Sequence, residues 1–133
     1  MKFSSKARYG LRVLYELGKS YSCKEPLSSS KLAGLARVSQ NYLEKIMSTL
    51  KKEKIVLAKQ GLNGGYELAI PPQELTIGKL LTALEGSLYT SECVEKQCKN
   101  ENCPNKEVFF FIYKSINETL EKLTLQDIIN KRV

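Results

Sequence analysis

Histidine is wholly absent from this 133-residue chain. That removes the usual general base near neutral pH and the usual nitrogen ligand for zinc. No apolar run approaches the roughly 18 residues of a membrane span. The first ten residues, MKFSSKARYG, turn charged and amphipathic at once, without the apolar core of a signal peptide. There is no CxxC pair and no phosphate-cradling glycine loop, so a thiol redox catalyst, the enzyme class considered, lacks its motifs. Internal repeats and low-complexity tracts are lacking too. Together these absences predict a cytoplasmic protein that is not an enzyme and has no membrane partner.

What is present begins with a composition of 42% hydrophobic and 26% charged residues, which favours one folded domain over a disordered chain. The net charge of +7 is concentrated in one half. Residues 1–70 hold 13 Lys/Arg against 5 Asp/Glu, and residues 71–133 hold 8 against 9. A basic first half suits a polyanion, nucleic acid first and an acidic membrane surface second, with simple solubilisation as the alternative.

The segment SSKARYGLRVLYELGKSY places Ala7, Leu11, Leu14, Leu17 and Tyr21 at helical spacing, with Ser4 or Ser5 as cap. Pro26 and its serine neighbours break that helix. Next, SSKLAGLARVSQNYLEKIMSTLKKEKI reads as a short helix over about 30–36, a turn at Arg37-Val38, and a second helix capped by Ser39 and running to about Lys52. Leu32, Ala33, Leu35 and Ala36 are the small or apolar residues of the first. Leu43, Ile46, Met47 and Leu50 are the buried stripe of the second, which leaves Ser39, Gln40, Asn41, Glu44, Lys45 and Ser48 on its other faces. That pattern is a helix-turn-helix, with an ordinary helical hairpin as the alternative.

IVLAKQ and YELAI then flank GLNGG. Asn63-Gly64 predicts a type I′ hairpin turn, and Pro71-Pro72 ends the second strand. A hairpin directly after a helix-turn-helix is a wing. Lys59 and the tip glycines suit approach to a phosphate backbone. ELTIGKLLTALEG is another helix, capped by Thr76 and closed by Gly86, with Ile77, Leu80, Leu81 and Leu84 inward. SLYTSECVEKQCKNENC is polar and reads as irregular. PNKEVFFFIYKSINETLEKL is a last long helix, started by Pro104. Val108, Phe109, Ile112, Ile116, Leu120 and Leu123 form its stripe, and Phe110, Phe111 and Tyr113 widen it. So wide an apolar surface predicts a second subunit against it, with a wide core helix in a monomer as the alternative.

Four cysteines remain. In a cytoplasmic chain they read as free thiols or ligands rather than a disulfide frame. Cys93, Cys98 and Cys103 recur at an even step before the long helix, and three thiolates are soft donors suited to an iron–sulfur centre or zinc. Cys103 stands at a helix start, just before Pro104. Cys23 lies apart and reads as structural or incidental.

The segments MKFSSKARYGLRVL, SQNYLEKIMSTLKKEKIV, GLNGGYELA and LTIGKLLTALEG occur in the order and spacing of a known family. From Met1 to about Leu125 the chain resembles the IscR, NsrR and CymR family of bacterial winged-helix transcription regulators. The implied fold is mainly α with a small β-hairpin wing. Residues 1–88 would form a winged helix-turn-helix DNA-binding domain, 89–103 a cysteine-containing cluster loop, and 104–133 the dimerisation helix and tail. The implied activity is sequence-specific binding to a palindromic operator in double-stranded DNA by a homodimer, with repression as the expected mode.

Carried over by position, Ser39, Gln40, Asn41, Tyr42 and Glu44 are base-proximal, and Gly61, Leu62, Asn63 and Gly64 are the wing tip. Gln40 and Asn41 can pair with adenine and Glu44 can accept from cytosine, while Tyr42 can equally be core. Lys45, Lys51, Lys59 and Arg8 are phosphate candidates. In sensor members the loop cysteines hold an iron–sulfur cluster, 2Fe–2S or 4Fe–4S, so Cys93, Cys98 and Cys103 are its expected ligands, with zinc as alternative. Three features depart from that pattern. The cysteines are separated by four residues rather than five, and the histidine that one branch uses three residues after the third cysteine is Lys106 here. The carboxylate that another branch takes from near the start of the partner's first helix is replaced by Arg8 here. Glu92, Glu95, Glu101, Glu107, a partner residue, an outside thiol or solvent remain as fourth ligand. The alternative function is a cluster-free regulator of the same fold, controlled by a partner protein, a metabolite or thiol oxidation.

Overall fold

The computed structural model describes residues 2–89 and 91–133; Met1, and Thr90 of the predicted cysteine loop, lie outside them. Helices α1 (Ser5–Lys19), α2 (Ser29–Ala36) and α3 (Gln40–Lys52) precede strands β1 (Val56–Lys59) and β2 (Gly65–Leu68). Helices α4 (Ile77–Glu85), α5 (Glu92–Glu95), α6 (Pro104–Lys122) and α7 (Leu125–Ile129) follow. The predicted class, mainly helical with one small hairpin, is the observed one.

The helix starts share one local device. Ser4, Ser28, Ser39 and Thr76 each accept, through the side-chain oxygen, the amide three residues on: Ala7, Lys31, Tyr42 and Lys79 respectively. Each such cap is worth about 1 kcal/mol. The turn between α2 and α3 closes where Arg37 turns left-handed at φ 56° and Val38 N–H donates to Ala33 O at 3.0 Å. Leu43, Ile46, Met47 and Leu50 of α3 are fully buried. At about 1.5–3 kcal/mol per apolar side chain, these four fix which face of α3 remains outside. The core continues through Val13, Leu14 and Leu17 of α1, Leu32 of α2, and Leu80, Leu81 and Leu84 of α4.

Several elements differ from the sequence reading. Tyr21 does not extend the α1 stripe: the helix ends at Lys19 and Tyr21 is exposed, as is Leu35 of α2. The wing does not turn on a type I′ pair. Lys59 pairs with Gly65, leaving a five-residue loop, and positive φ occurs at Gly61 (104°) and Gly65 (150°) rather than at Asn63-Gly64. The reason is tertiary. Tyr66 N–H donates to Leu27 O (2.8 Å) and Leu27 N–H to Tyr66 O (2.9 Å), so the loop before α2 lies along β2 as a third edge. A Cβ on Gly65 would strike the Leu27 backbone.

The cysteine segment is not wholly irregular: α5 forms within it, lies against α6 and buries Val94. Nor is α6 the last helix. Thr124 starts α7 with a capping box, in which Asp127 Oδ2 accepts from Thr124 N–H at 3.0 Å and Thr124 Oγ1 accepts from Asp127 N–H at 3.2 Å. Leu125 is buried, and its N–H donates to Leu75 O. The stripe predicted for α6 divides. Leu120 and Leu123 pack against the core, whereas Val108 and Ile112 are exposed, and no described α6 residue is fully buried.

Two stability predictions follow from these contacts. Gly65→Ala combines a positive φ with a backbone collision and costs more than about 1 kcal/mol, read as a lowered urea midpoint; an unchanged midpoint would contradict the close approach. The Thr124 backbone amide, then its hydroxyl, hold the Asp127 carboxyl below its ordinary value of 3.8. A depressed acid stabilises the fold above its unfolded pKa, and that contribution disappears as pH falls through the folded pKa. Between about pH 5 and about pH 2, the melting temperature of wild type should therefore fall further than that of Asp127→Asn. Parallel curves would contradict it.

Candidate nucleic-acid interface and cysteine loop

Helix α3 shows solvent a continuous polar face: Ser39, Gln40, Asn41, Glu44, Lys45 and Ser48 are all exposed. Gln40 and Glu44 stand four residues apart, hence on one side of the helix. Each makes one side-chain hydrogen bond. Gln40 Nε2 donates to Ser29 Oγ at 2.6 Å, which ties it to the start of α2. Glu44 Oε2 accepts from the Tyr66 hydroxyl at 2.9 Å, which ties it to the wing. Each retains groups for a further partner: Gln40 its carbonyl oxygen and one N–H, Glu44 its second oxygen.

Tyr42 leans inward. Its half-buried ring packs against the core and meets the Tyr9 ring edge-to-face at 5.8 Å. The Arg8 and Arg12 guanidinium groups lie 5.7 and 5.4 Å from the Tyr9 ring centre. Arg8 also donates to Ser5 Oγ. The start of α3 is thus joined through two tyrosines to a pair of cations on α1. Lys45 and Lys51 are exposed and form no ion pair among the described residues. Lys59, beside the wing tip, is bound at 3.1 Å to Glu67 on the adjacent strand, so its charge is partly answered within the hairpin. At the tip, Gly61, Leu62 and Asn63 are exposed and Gly64 is half-buried. Leu62 is 106% exposed, an apolar side chain with nothing of its own chain to cover it.

The sequence reading missed Tyr66, Ser29, Tyr9 and Arg12. Tyr66 showed only as a strand residue. Its tie to Glu44 spans 22 positions and no periodicity carries it. Burial and the hydrogen bond to Glu44 raise the Tyr66 pKa, which keeps its hydroxyl a donor at neutral pH.

Cys93, Cys98 and Cys103 are free and half-buried, and Cys98 N–H donates to Cys93 O at 3.1 Å. Cys103 stands at the N-cap of α6. Cys23 is exposed, so it takes no part in the core. As donor types, the three loop thiols fit an iron–sulfur centre or zinc. As an arrangement, they do not complete one: among the described residues no three Cys, Asp or Glu side chains converge as a metal site. Ser91 Oγ, two residues before Cys93, is buried with no hydrogen-bond partner among the described residues. The loop is nonetheless anchored, by Val94 beneath α5 and by Tyr89, whose ring stacks on Tyr113 of α6 at 5.4 Å. Exposed apolar residues continue along α6, with Val108 at 54% and Phe111 at 71%. Among the described residues, no helix is long and apolar enough to cross a membrane.

Comparison with known proteins agrees with this arrangement. Residues 3–131 match the family model Rrf2, described as an iron-dependent transcriptional regulator. The chain is 33% identical to the HTH-type transcriptional regulator CymR of Bacillus subtilis, over 96% of this chain and 89% of that one. The solved structure of CymR (YrzC), described as the global cysteine regulator of B. subtilis, superposes with a TM-score of 0.86 at 30% identity, covering 98% of both chains. That of T. potens IscR superposes with a TM-score of 0.77 at 30% identity, covering 100% of this chain and 89% of that one. With a family match over nearly its whole length and a winged helix-turn-helix fold shared with solved regulators, the chain belongs to the Rrf2 family of transcription regulators.

Proposed function

We propose that the chain is a sequence-specific DNA-binding repressor that acts as a homodimer. In this reading α3 enters the major groove, with Ser39, Gln40, Asn41 and Glu44 toward base edges and Tyr42 supporting them. The wing tip, Gly61 to Gly64, follows the adjacent minor groove. Lys45, Lys51, Lys59 and Arg8 meet phosphates, and the positive excess of residues 1–70 attracts the duplex. The observation that carries the reading is the exposed polar face of α3, held over four fully buried apolar residues, with Gln40 and Glu44 tethered on either side. Pre-oriented acceptors and donors of this kind suit direct readout.

The exposed apolar residues of α6 support a second copy as their cover, since Phe110, Phe111 and Tyr113 line an apolar groove on that helix. Phe111→Glu would place a charge in the interface and yield monomer in sedimentation, with the fold retained by circular dichroism. A dimer surviving the change would contradict α6 as the interface.

For the signal, the proposal assigns Cys93, Cys98 and Cys103 as thiolate ligands of an iron–sulfur cluster, 2Fe–2S or 4Fe–4S. Glu92, Glu95, Glu101, Glu107, a partner residue, an outside thiol or solvent would complete the fourth position. Such a cluster supplies reactivity toward oxygen, nitric oxide or small thiols. The position of the loop, with α5 against α6, supports coupling between its state and the dimer interface. Anaerobic purification followed by absorption spectroscopy and iron and sulfide counts tests the assignment. A coloured protein with iron and sulfide, whose holo and apo forms bind one operator differently at fixed salt, is expected. Stoichiometric zinc would replace the cluster by the zinc alternative.

The absence of a converging donor set among the described residues favours a second reading, a cluster-free regulator controlled by thiol oxidation, a metabolite or a protein partner. A colourless, metal-free preparation would support it. Replacing all three loop cysteines by alanine then separates its branches: lost regulation points to thiol oxidation, retained regulation to a metabolite or partner.

A further inference from the structure

The sharpest unassigned feature of the DNA-facing surface is the hydrogen bond between the wing and α3. Tyr66 is held from both sides. Its backbone pairs with Ala58 of β1 in the hairpin register and exchanges two hydrogen bonds with Leu27 on the other edge. Its ring packs against the core and is only partly exposed. From that fixed base the hydroxyl reaches Glu44 Oε2 at 2.9 Å. Glu44 itself is exposed, and without this bond its flexible side chain would sample several rotamers over the polar face of α3. A carboxylate that accepts from a tyrosine on one oxygen keeps its other oxygen as an acceptor of defined direction.

We propose that Tyr66 is a specificity-determining positioning residue: its hydroxyl holds the Glu44 carboxylate in the orientation from which the free oxygen reads a base-edge donor. The amino group of cytosine is the donor that a carboxylate accepts from in the major groove. The proposal rests on the reading of α3 as the major-groove helix. It adds that the wing takes part in base discrimination without touching a base, by fixing a side chain on the neighbouring helix. Burial first and the hydrogen bond to Glu44 second raise the Tyr66 pKa, so the hydroxyl is a donor throughout the neutral range.

Tyr66→Phe tests this directly, because it keeps the ring and removes only the hydroxyl. Operators are selected from a randomised duplex library, and affinities are measured at one salt concentration for wild type, Tyr66→Phe, Glu44→Ala and the double variant, each checked for an unchanged melting transition. Both single variants should lose discrimination at the same base position, by about tenfold. In Tyr66→Phe, which changes no charge, affinity for unrelated DNA and its salt dependence should stay unchanged. The double variant should behave as Glu44→Ala alone, since positioning without a reader has no effect. Retained discrimination in Tyr66→Phe, alongside its loss in Glu44→Ala, would overturn the positioning role while leaving the major-groove reading intact. Retained discrimination in Glu44→Ala would remove Glu44 as a reader and the proposal with it. Uniform weakening on every sequence by Tyr66→Phe would mark a structural or phosphate-side role and likewise overturn it.

Discussion

Two backbone hydrogen bonds between Leu27 and Tyr66 hold the wing to the helix-turn-helix, and the geometry of the surface that α3 and the wing share follows from them. A two-stranded hairpin alone is marginal in water. Here β2 gains a second edge, the loop before α2 is fixed, and Tyr66 is placed where its hydroxyl meets Glu44. The requirement for glycine at position 65 follows as well, since a side chain there would occupy the Leu27 backbone. The apolar anchors of α3 and the caps of its neighbours set the same surface from below. The wing and α3 therefore form one unit rather than two attachments to a core.

How much of this is legible in the sequence depends on how local each cause is. Helix starts are legible because a serine or threonine caps the amide three residues on, wherever the rest of the chain lies. The α3 stripe is legible because Leu43, Ile46, Met47 and Leu50 recur at helical spacing. The wing turn is misread because Asn63-Gly64 is a local signal, whereas Leu27 approaches the backbone at Gly65, where the positive φ is found. Helix α7 is too short to show a period, although Thr124 and Asp127 stand at capping-box spacing. The Tyr66–Glu44 bond joins residues 22 apart and has no sequence signature at all. The cysteine loop is legible as a row of soft donors, but its anchorage by Val94 and Tyr89 depends on α6.

Helix α6 links the two halves of the account. One end rests on the core through Leu120 and Leu123, while Val108, Phe111 and Ile112 face outward. The loop that carries Cys93, Cys98 and Cys103 is seated on the same helix. Chemistry at those thiols and the separation of two recognition helices would then share one mechanical element. Coupling of this kind needs no long pathway, only a helix whose seating differs between two states of the loop.

The central claim is that a dimer presents two copies of α3 and its wing to one face of a duplex. Hydroxyl-radical footprinting on a selected operator tests it most directly. The account predicts two symmetry-related protected stretches whose centres lie about one helical turn, or a multiple of one, apart. A single protected stretch, or protection without symmetry, would contradict it.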